Sequence, residues 1–449
     1  MPEQKADSPD VVLVHGHDLG RWLSVYGMPH VPSPNLAAFA EDAVVFDNAH
    51  AAAPLCSPAR AALFTGLSPH RNGVEGLAHH GWRYRHDIVT APERLRPLGY
   101  HSVLIGLQHE HPDPTVLGFD EVGGLGFLPR AHQVADAAAG WLRACPDRGD
   151  RKPLFLTVGV WEVHRPWPAE DYTPADPGRV DVPDFLPDNE HTREDIAAFH
   201  GSIRQLDDAM GALLRTIDET LDPETTMVIF TTDHGAAFPR AKSTLYDAGT
   251  GVSLLVRPPR SWAAAPRRVT DLVSHLDLVP TLLHVAGGAP AAELEGTSLV
   301  PLLRGGTGDP DRVLYPGKSY HDSYDPMRAV RSREFTYIRN FRSGPLLTLS
   351  LDLENSATRR GMGDAHLAPR PAEELYDRRK DPDELTNVVE DPAYAEVLAE
   401  YARLLDERLV ATDDPVLAGG SPPPGPRSRE VDALPPLAPL ASRTPEDPS

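Results

Sequence analysis

Val11-Val12-Leu13-Val14 runs directly into His15-Gly16-His17-Asp18-Leu19-Gly20. A continuous apolar run this short predicts a strand buried on both faces, and the polar residues after it predict a loop at the strand's carboxyl end. The pattern recurs. His101-Ser102-Val103-Leu104-Ile105-Gly106 leads to His109-Glu110-His111, and Leu154-Phe155-Leu156-Thr157-Val158-Gly159-Val160 leads to Trp161-Glu162-Val163-His164-Arg165. Thr226-Met227-Val228-Ile229-Phe230-Thr231-Thr232 leads to Asp233-His234-Gly235. Helical stretches separate these runs: one opened by Ser33-Pro34-Asn35, one over about 131–144, and a long amphipathic one over about 192–221. Strands alternating with helices predict an α/β fold, a large, mostly parallel sheet sandwiched by helices, for a main domain spanning 1–311. Ligands bind such sheets beyond the carboxyl ends of the strands, so the four polar clusters are expected to converge there.

From about Asp311 the pattern changes to short pieces such as Arg328-Ala329-Val330-Arg331 and Phe335-Thr336-Tyr337-Ile338-Arg339, then a helical stretch over about 392–409. We read 312–412 as a smaller C-terminal α+β domain. Residues 413–449 carry Pro422-Pro423-Pro424 and Pro435-Pro436 with few apolar residues, and are expected to be disordered. The net charge of −22 argues against nucleic acid or an anionic membrane as partner. The start of the chain has no apolar signal core and no run is long enough to span a bilayer, which predicts a cytoplasmic protein. Two cysteines, Cys56 and Cys145, make no disulfide framework, and Cys145 reads as inert packing.

Asp18 and Asp233 offer the charge and oxygen donors a hard divalent cation needs, while His17 and His234 add nitrogen donors that suit manganese or zinc. The ordinary alternative is that these aspartates only form turns. Pro54-Leu55-Cys56-Ser57-Pro58-Ala59-Arg60, followed by Ala61-Ala62-Leu63-Phe64-Thr65-Gly66, resembles the signature of the formylglycine-dependent sulfatases, Cys-x-Pro-x-Arg with a downstream Leu-x-Thr-Gly. A buried free cysteine at a helix start is the plain alternative. The similarity runs over about residues 10–410 and is nearest to the heparan N-sulfatase (sulfamidase) branch. Pro34-Asn35-Leu36, Ser68-Pro69-His70-Arg71-Asn72-Gly73-Val74 and Thr232-Asp233-His234-Gly235 through Lys242 resemble that branch, as do Glu374-Leu375-Tyr376-Asp377 and Asp381-Pro382-Asp383-Glu384-Leu385-Thr386-Asn387.

The resemblance implies an alkaline-phosphatase-like fold and a formylglycine made from Cys56 by a formylglycine-generating enzyme. It implies one divalent cation, calcium first with manganese, magnesium and zinc open, held by His17, Asp18, Asp233, His234 and the residue at position 56. It further implies that Arg60 orients the aldehyde hydrate, His164 is the general acid, His109 takes the proton that releases sulfate, and Lys242 holds sulfate. His321, Asp322 and Arg328 fall where the branch lines its sugar pocket. Two departures stand out: His17-Asp18 replaces the usual Asp-Asp pair, and Leu107 in Gly106-Leu107-Gln108-His109 replaces the usual lysine. The expected substrate is a small sulfated sugar, N-sulfoglucosamine first and an O-sulfated sugar next. The rivals are a phosphodiester or phosphonate monoester hydrolase on the same fold and a sulfatase-like binding protein without activity.

Overall fold

The computed structural model describes residues 8–126, 128–144 and 152–424. An eight-stranded sheet forms its centre, in the order Glu121–Gly123, His101–Gly106, Leu154–Gly159, Asp10–Gly16, Thr226–Thr232, Leu254–Arg257, Val44–Phe46, Arg267–Val269. The first five strands are mutually parallel, as the alternation predicts. Leu254–Arg257 runs antiparallel to both neighbours. It is a four-residue strand, too short for its direction to be read from sequence.

The central strand shows why the sheet needs two covers. Val12 and Val14 point into a core built with the helices Ala131–Ala144 and Glu190–Thr220. Val11 and Leu13 point the other way, onto Ala59, Leu63 and Phe64 of the helix Cys56–Thr65 and onto the helix Leu278–Val285. This alternation follows from the two-residue period of a strand. All ten residues of Cys56–Thr65 are buried.

The smaller unit is a four-stranded antiparallel sheet, Gly317–Tyr320, Tyr324–Arg331, Phe335–Asn340 and Glu373–Asp377 in sequential order. The helix Ala395–Ala411 covers it with Tyr401, Leu405 and Leu409. The stretch from Asp381 to Asn387 has a structural task. Asn387 Oδ1 accepts the Leu375 N–H at 2.9 Å, and buried Glu384 takes Thr336 Oγ1 at 2.6 Å and Arg331 Nη1 at 2.9 Å.

The expectation of disorder from residue 413 does not hold for 413–424. Asp414 takes Arg328 Nε at 2.6 Å and Nη2 at 2.9 Å, Tyr320 donates to the Ser421 carbonyl at 2.7 Å, and Ser421 reaches Glu75. Polar anchors hold this segment where apolar periodicity is missing. The rest of the predicted disordered tail, and Cys145, lie outside the described residues. Among the described residues, no helix is long and apolar enough to cross a membrane.

Candidate active site

Four adjacent parallel strands deliver their loops to one edge of the sheet. Asp18 follows Asp10–Gly16, Asp233 and His234 follow Thr226–Thr232, His109 follows His101–Gly106, and His164 follows Leu154–Gly159. Asp18 adopts a left-handed backbone (φ 54°), which turns its N–H onto Asp233 Oδ1 at 2.9 Å. A non-glycine residue in that conformation is strained, and such strain concentrates where a side chain must be aimed. Gly235 lets the second loop pass: a Cβ there would run into the Ala248 carbonyl.

His17, Asp18, Cys56, Asp233 and His234 each present a ligand atom within 4.8 Å of the others, and all five are buried. His17 Nδ1 lies 2.9 Å from Asp18 Oδ1 and 3.1 Å from Asp233 Oδ2, and His234 Nε2 lies 3.0 Å from Asp18 Oδ1. His17 Nε2 is buried with no hydrogen-bond partner. Two carboxylates, two imidazoles and a thiol packed this closely suit a divalent cation, whose charge would offset the two carboxylates. Burial works against charge on His17, but Asp233, Cys56 and Asp18 outweigh it and lift its pKa to about 9.

Cys56 occupies the first position of its helix, with Sγ 4.0 Å from Asp18 Oδ1. Burial raises the thiol's pKa, yet Lys242 and His17 more than offset it and hold the group well below its usual range. Burial lowers the pKa of His109 although Cys56 works to raise it, and its Nε2 lies 3.0 Å from His79 Nδ1. Arg60, one helical turn on, has every nitrogen engaged: Nε with Asp233 Oδ2 at 3.2 Å, Nη1 with His15 Nδ1 at 2.6 Å, and Nη2 with the Gly16 carbonyl at 2.9 Å. It therefore positions the Asp233 carboxylate.

Lys242 completes the group from the other side. Its Nζ donates to Asp18 Oδ2 at 2.6 Å and to Asp352 Oδ2 at 2.8 Å, and lies 3.4 Å from His164 Nε2. Burial disfavours the ammonium, but Asp18 and Asp352 keep it charged, with a pKa well above the ordinary value. His164 donates from Nδ1 to the Arg165 carbonyl at 2.5 Å, so Nε2 is the nitrogen that faces Lys242 and Asp18.

The three expected sugar-pocket residues fare differently. His321 and Asp322 pair at 2.8 Å beside a small cavity that also includes Ser243, the residue after Lys242. Arg328 is corrected: its guanidinium is buried and spent on Asp414, the Lys318 and Met327 carbonyls and Ser319, so it clasps the chain and has no donor left for a sugar. Asp352 and His79 went unread in the sequence. Each sits on a short helix away from any strand end, where only tertiary packing brings it to the site.

A place for a cation, a buried lysine and a partly exposed histidine beside one carboxylate suit cleavage of a compact anion from a carrier, the work of a hydrolase of anionic esters. A family model described as Sulfatase matches residues 9–289, and the chain belongs to the sulfatase family. It is 28% identical over 467 residues to N-sulphoglucosamine sulphohydrolase of Homo sapiens, covering 92% of each chain. Among solved structures it resembles one bound to its substrate D-glucosamine-2-N,6-O-disulfate, with a TM-score of 0.71, 18% identity and coverage of 91% of this chain and 98% of that one. It also resembles the phosphonate monoester hydrolase of Agrobacterium radiobacter, with a TM-score of 0.69, 22% identity and coverage of 90% and 96%. At these identities the two structures speak for the fold alone.

Proposed function

We propose that this sulfatase removes the sulfate of a small sugar, a sulfamate such as N-sulfoglucosamine first and an O-sulfate next. The observation that carries the reading is the meeting of Cys56, Lys242 and His164 around Asp18. We further propose that Cys56 is converted to formylglycine by a formylglycine-generating enzyme and that one divalent cation, calcium first, binds among His17, Asp18, Asp233, His234 and position 56. Together these two groups supply a hydroxyl nucleophile and a positive charge beside the sulfate oxygens.

The chain's own residues do the rest. Lys242 holds the sulfate with the N–H not used on Asp18 and Asp352. His164 Nε2 delivers a proton to the departing nitrogen or oxygen, with its ring fixed by the Arg165 carbonyl. His109, beside Cys56, accepts the proton whose removal lets sulfate leave. Arg60 keeps Asp233 in place. Buried walls exclude water, so each of these charges acts in a medium of low polarity. Leu107 stands where the family lysine is absent, which leaves Lys242 as the sulfate's lysine contact.

The reading is tested with one preparation made alongside a formylglycine-generating enzyme, offered N-sulfated glucosamine, O-sulfated glucosamine and an aryl phosphate, with mass spectrometry across Cys56. Turnover of a sulfated sugar and loss of the thiol mass are expected. Preference for the phosphate would move the protein to the phosphonate and phosphodiester hydrolases of this fold.

A further inference from the structure

Among the described residues, Asp352 is the carboxylate besides Asp18 that pairs with Lys242, and nothing in the proposed chemistry uses it. Its Oδ2 lies 2.8 Å from Lys242 Nζ, and its side chain is 19% exposed, so it remains reachable from solvent. The short helix Leu351–Glu354 that carries it is fixed at both ends. Asp322 Oδ2 accepts the Leu351 N–H at 3.0 Å, and Leu353 is fully buried in the main core. Beyond it, Thr358 donates through its N–H and hydroxyl to Asp195 at 3.1 and 2.7 Å, and Asp195 in turn holds Arg165 beside His164. Asp352 is thus built into the frame that sets His164.

An ammonium has three N–H donors. Lys242 spends one on Asp18 and one on Asp352, and the third faces His164 Nε2 at 3.4 Å, a long contact that a sulfate oxygen can displace. A sulfate on that third N–H shares its lysine with the Asp352 carboxylate and sits within a few ångströms of it. A carboxylate so placed accepts hydrogen bonds from a neutral donor and repels another anion. We propose that Asp352 is a specificity-determining residue: it accepts a hydrogen bond from a hydroxyl or amide N–H of the sugar next to the reacting sulfate, and it excludes a second sulfate or carboxylate from that position. The inference rests on the sulfated-sugar reading above and adds to it a limit on the substrate's charge.

The test compares wild type with Asp352→Asn, with calcium present, in calorimetric titrations with inorganic sulfate, glucosamine N-sulfate and glucosamine N,6-disulfate, turnover being measured in parallel. Asp352→Asn is expected to bind inorganic sulfate and the disulfated sugar about tenfold more tightly, while binding of the monosulfated sugar weakens or holds. The readout is the ratio of the two sugar affinities, which a general loss of structure would not move in that direction. Asp352→Ser should shift the ratio the same way, and it decides the matter if Asp352→Asn folds poorly. An unchanged ratio, or weaker sulfate binding in both variants, overturns the proposal. Wild-type protein that turns over neither sugar overturns the functional reading instead, while inorganic sulfate still reports on Asp352.

Discussion

Arg60 Nε donates to Asp233 Oδ2 at 3.2 Å across 173 residues of sequence, which ties the start of the helix that bears Cys56 to a carboxylate of the proposed cation site. Groups behind a metal ligand set its direction, and their loss costs roughly 10–100-fold in metal affinity. Arg60→Lys keeps the charge and loses the fork that also reaches His15 and the Gly16 carbonyl. Calcium affinity measured by calorimetry should fall by about tenfold or more, with turnover falling in step. Exhaustive chelation of wild type should abolish turnover, and restored cation should return it.

His164→Ala should separate substrates by leaving group. A sulfamate or sugar sulfate needs its departing nitrogen or oxygen protonated, whereas an activated aryl oxide leaves unaided. General acid help is worth about 10²–10⁴-fold, so turnover of N-sulfoglucosamine should drop by that order and that of an activated aryl sulfate by much less. Equal losses on both would remove His164 from the acid role.

Glu162 predicts a pH dependence of stability. Burial pushes its carboxyl up from 4.5 to about 7, despite the Ala131 N–H held at 2.6 Å. A raised folded-state pKa means the native protein binds this proton more tightly than the unfolded chain does. The resulting stability is full below about pH 4.5 and is lost as pH rises through about 7, a change of about 3 kcal/mol. Denaturant melts across that range should show wild type losing this stability relative to Glu162→Gln, which cannot titrate. A constant difference between the two proteins would refute the assignment.

Asp207 lies inside the long helix Glu190–Thr220 yet caps a different one. Its Oδ2 accepts the Asn35 N–H at 2.9 Å and its Oδ1 the Leu36 N–H at 2.8 Å, at the start of the helix Pro34–Glu41. Those N–H groups have no partner within their own helix. Asp207→Ala should cost about 2 kcal/mol by thermal or urea unfolding. Cation affinity should be unchanged, because nothing at the site touches this residue.

The strands that aim the site were legible because each announces itself twice, by an apolar run and by the polar cluster after it, as in Val11 to Asp18 and Thr226 to His234. Cys56 was legible from its neighbours through Arg60. Arg328 misled because a basic residue in a polar stretch looks the same whether it meets a sugar or, as here, Asp414. Asp352 left no trace because the short helix Leu351–Glu354 has no period long enough to read. Its partner Lys242 is 110 residues away in sequence, and Asp322, which accepts the N–H of the preceding Leu351, is 29 residues from that donor. Order in 413–424 was missed for a related reason: single ion pairs and hydroxyls fasten it, and those leave no pattern in composition.

The complete burial of the helix Cys56–Thr65 would set a deadline for the proposed maturation of Cys56. Once Phe64 and Leu63 have packed under the sheet and Asp18 has closed over position 56, no second protein can reach the thiol. The proposed conversion of Cys56 would then have to be finished while the segment is still an open chain, in a race between the modifying enzyme and collapse of the core. On that reading, a molecule that folds first is sound in structure and lacks its nucleophile.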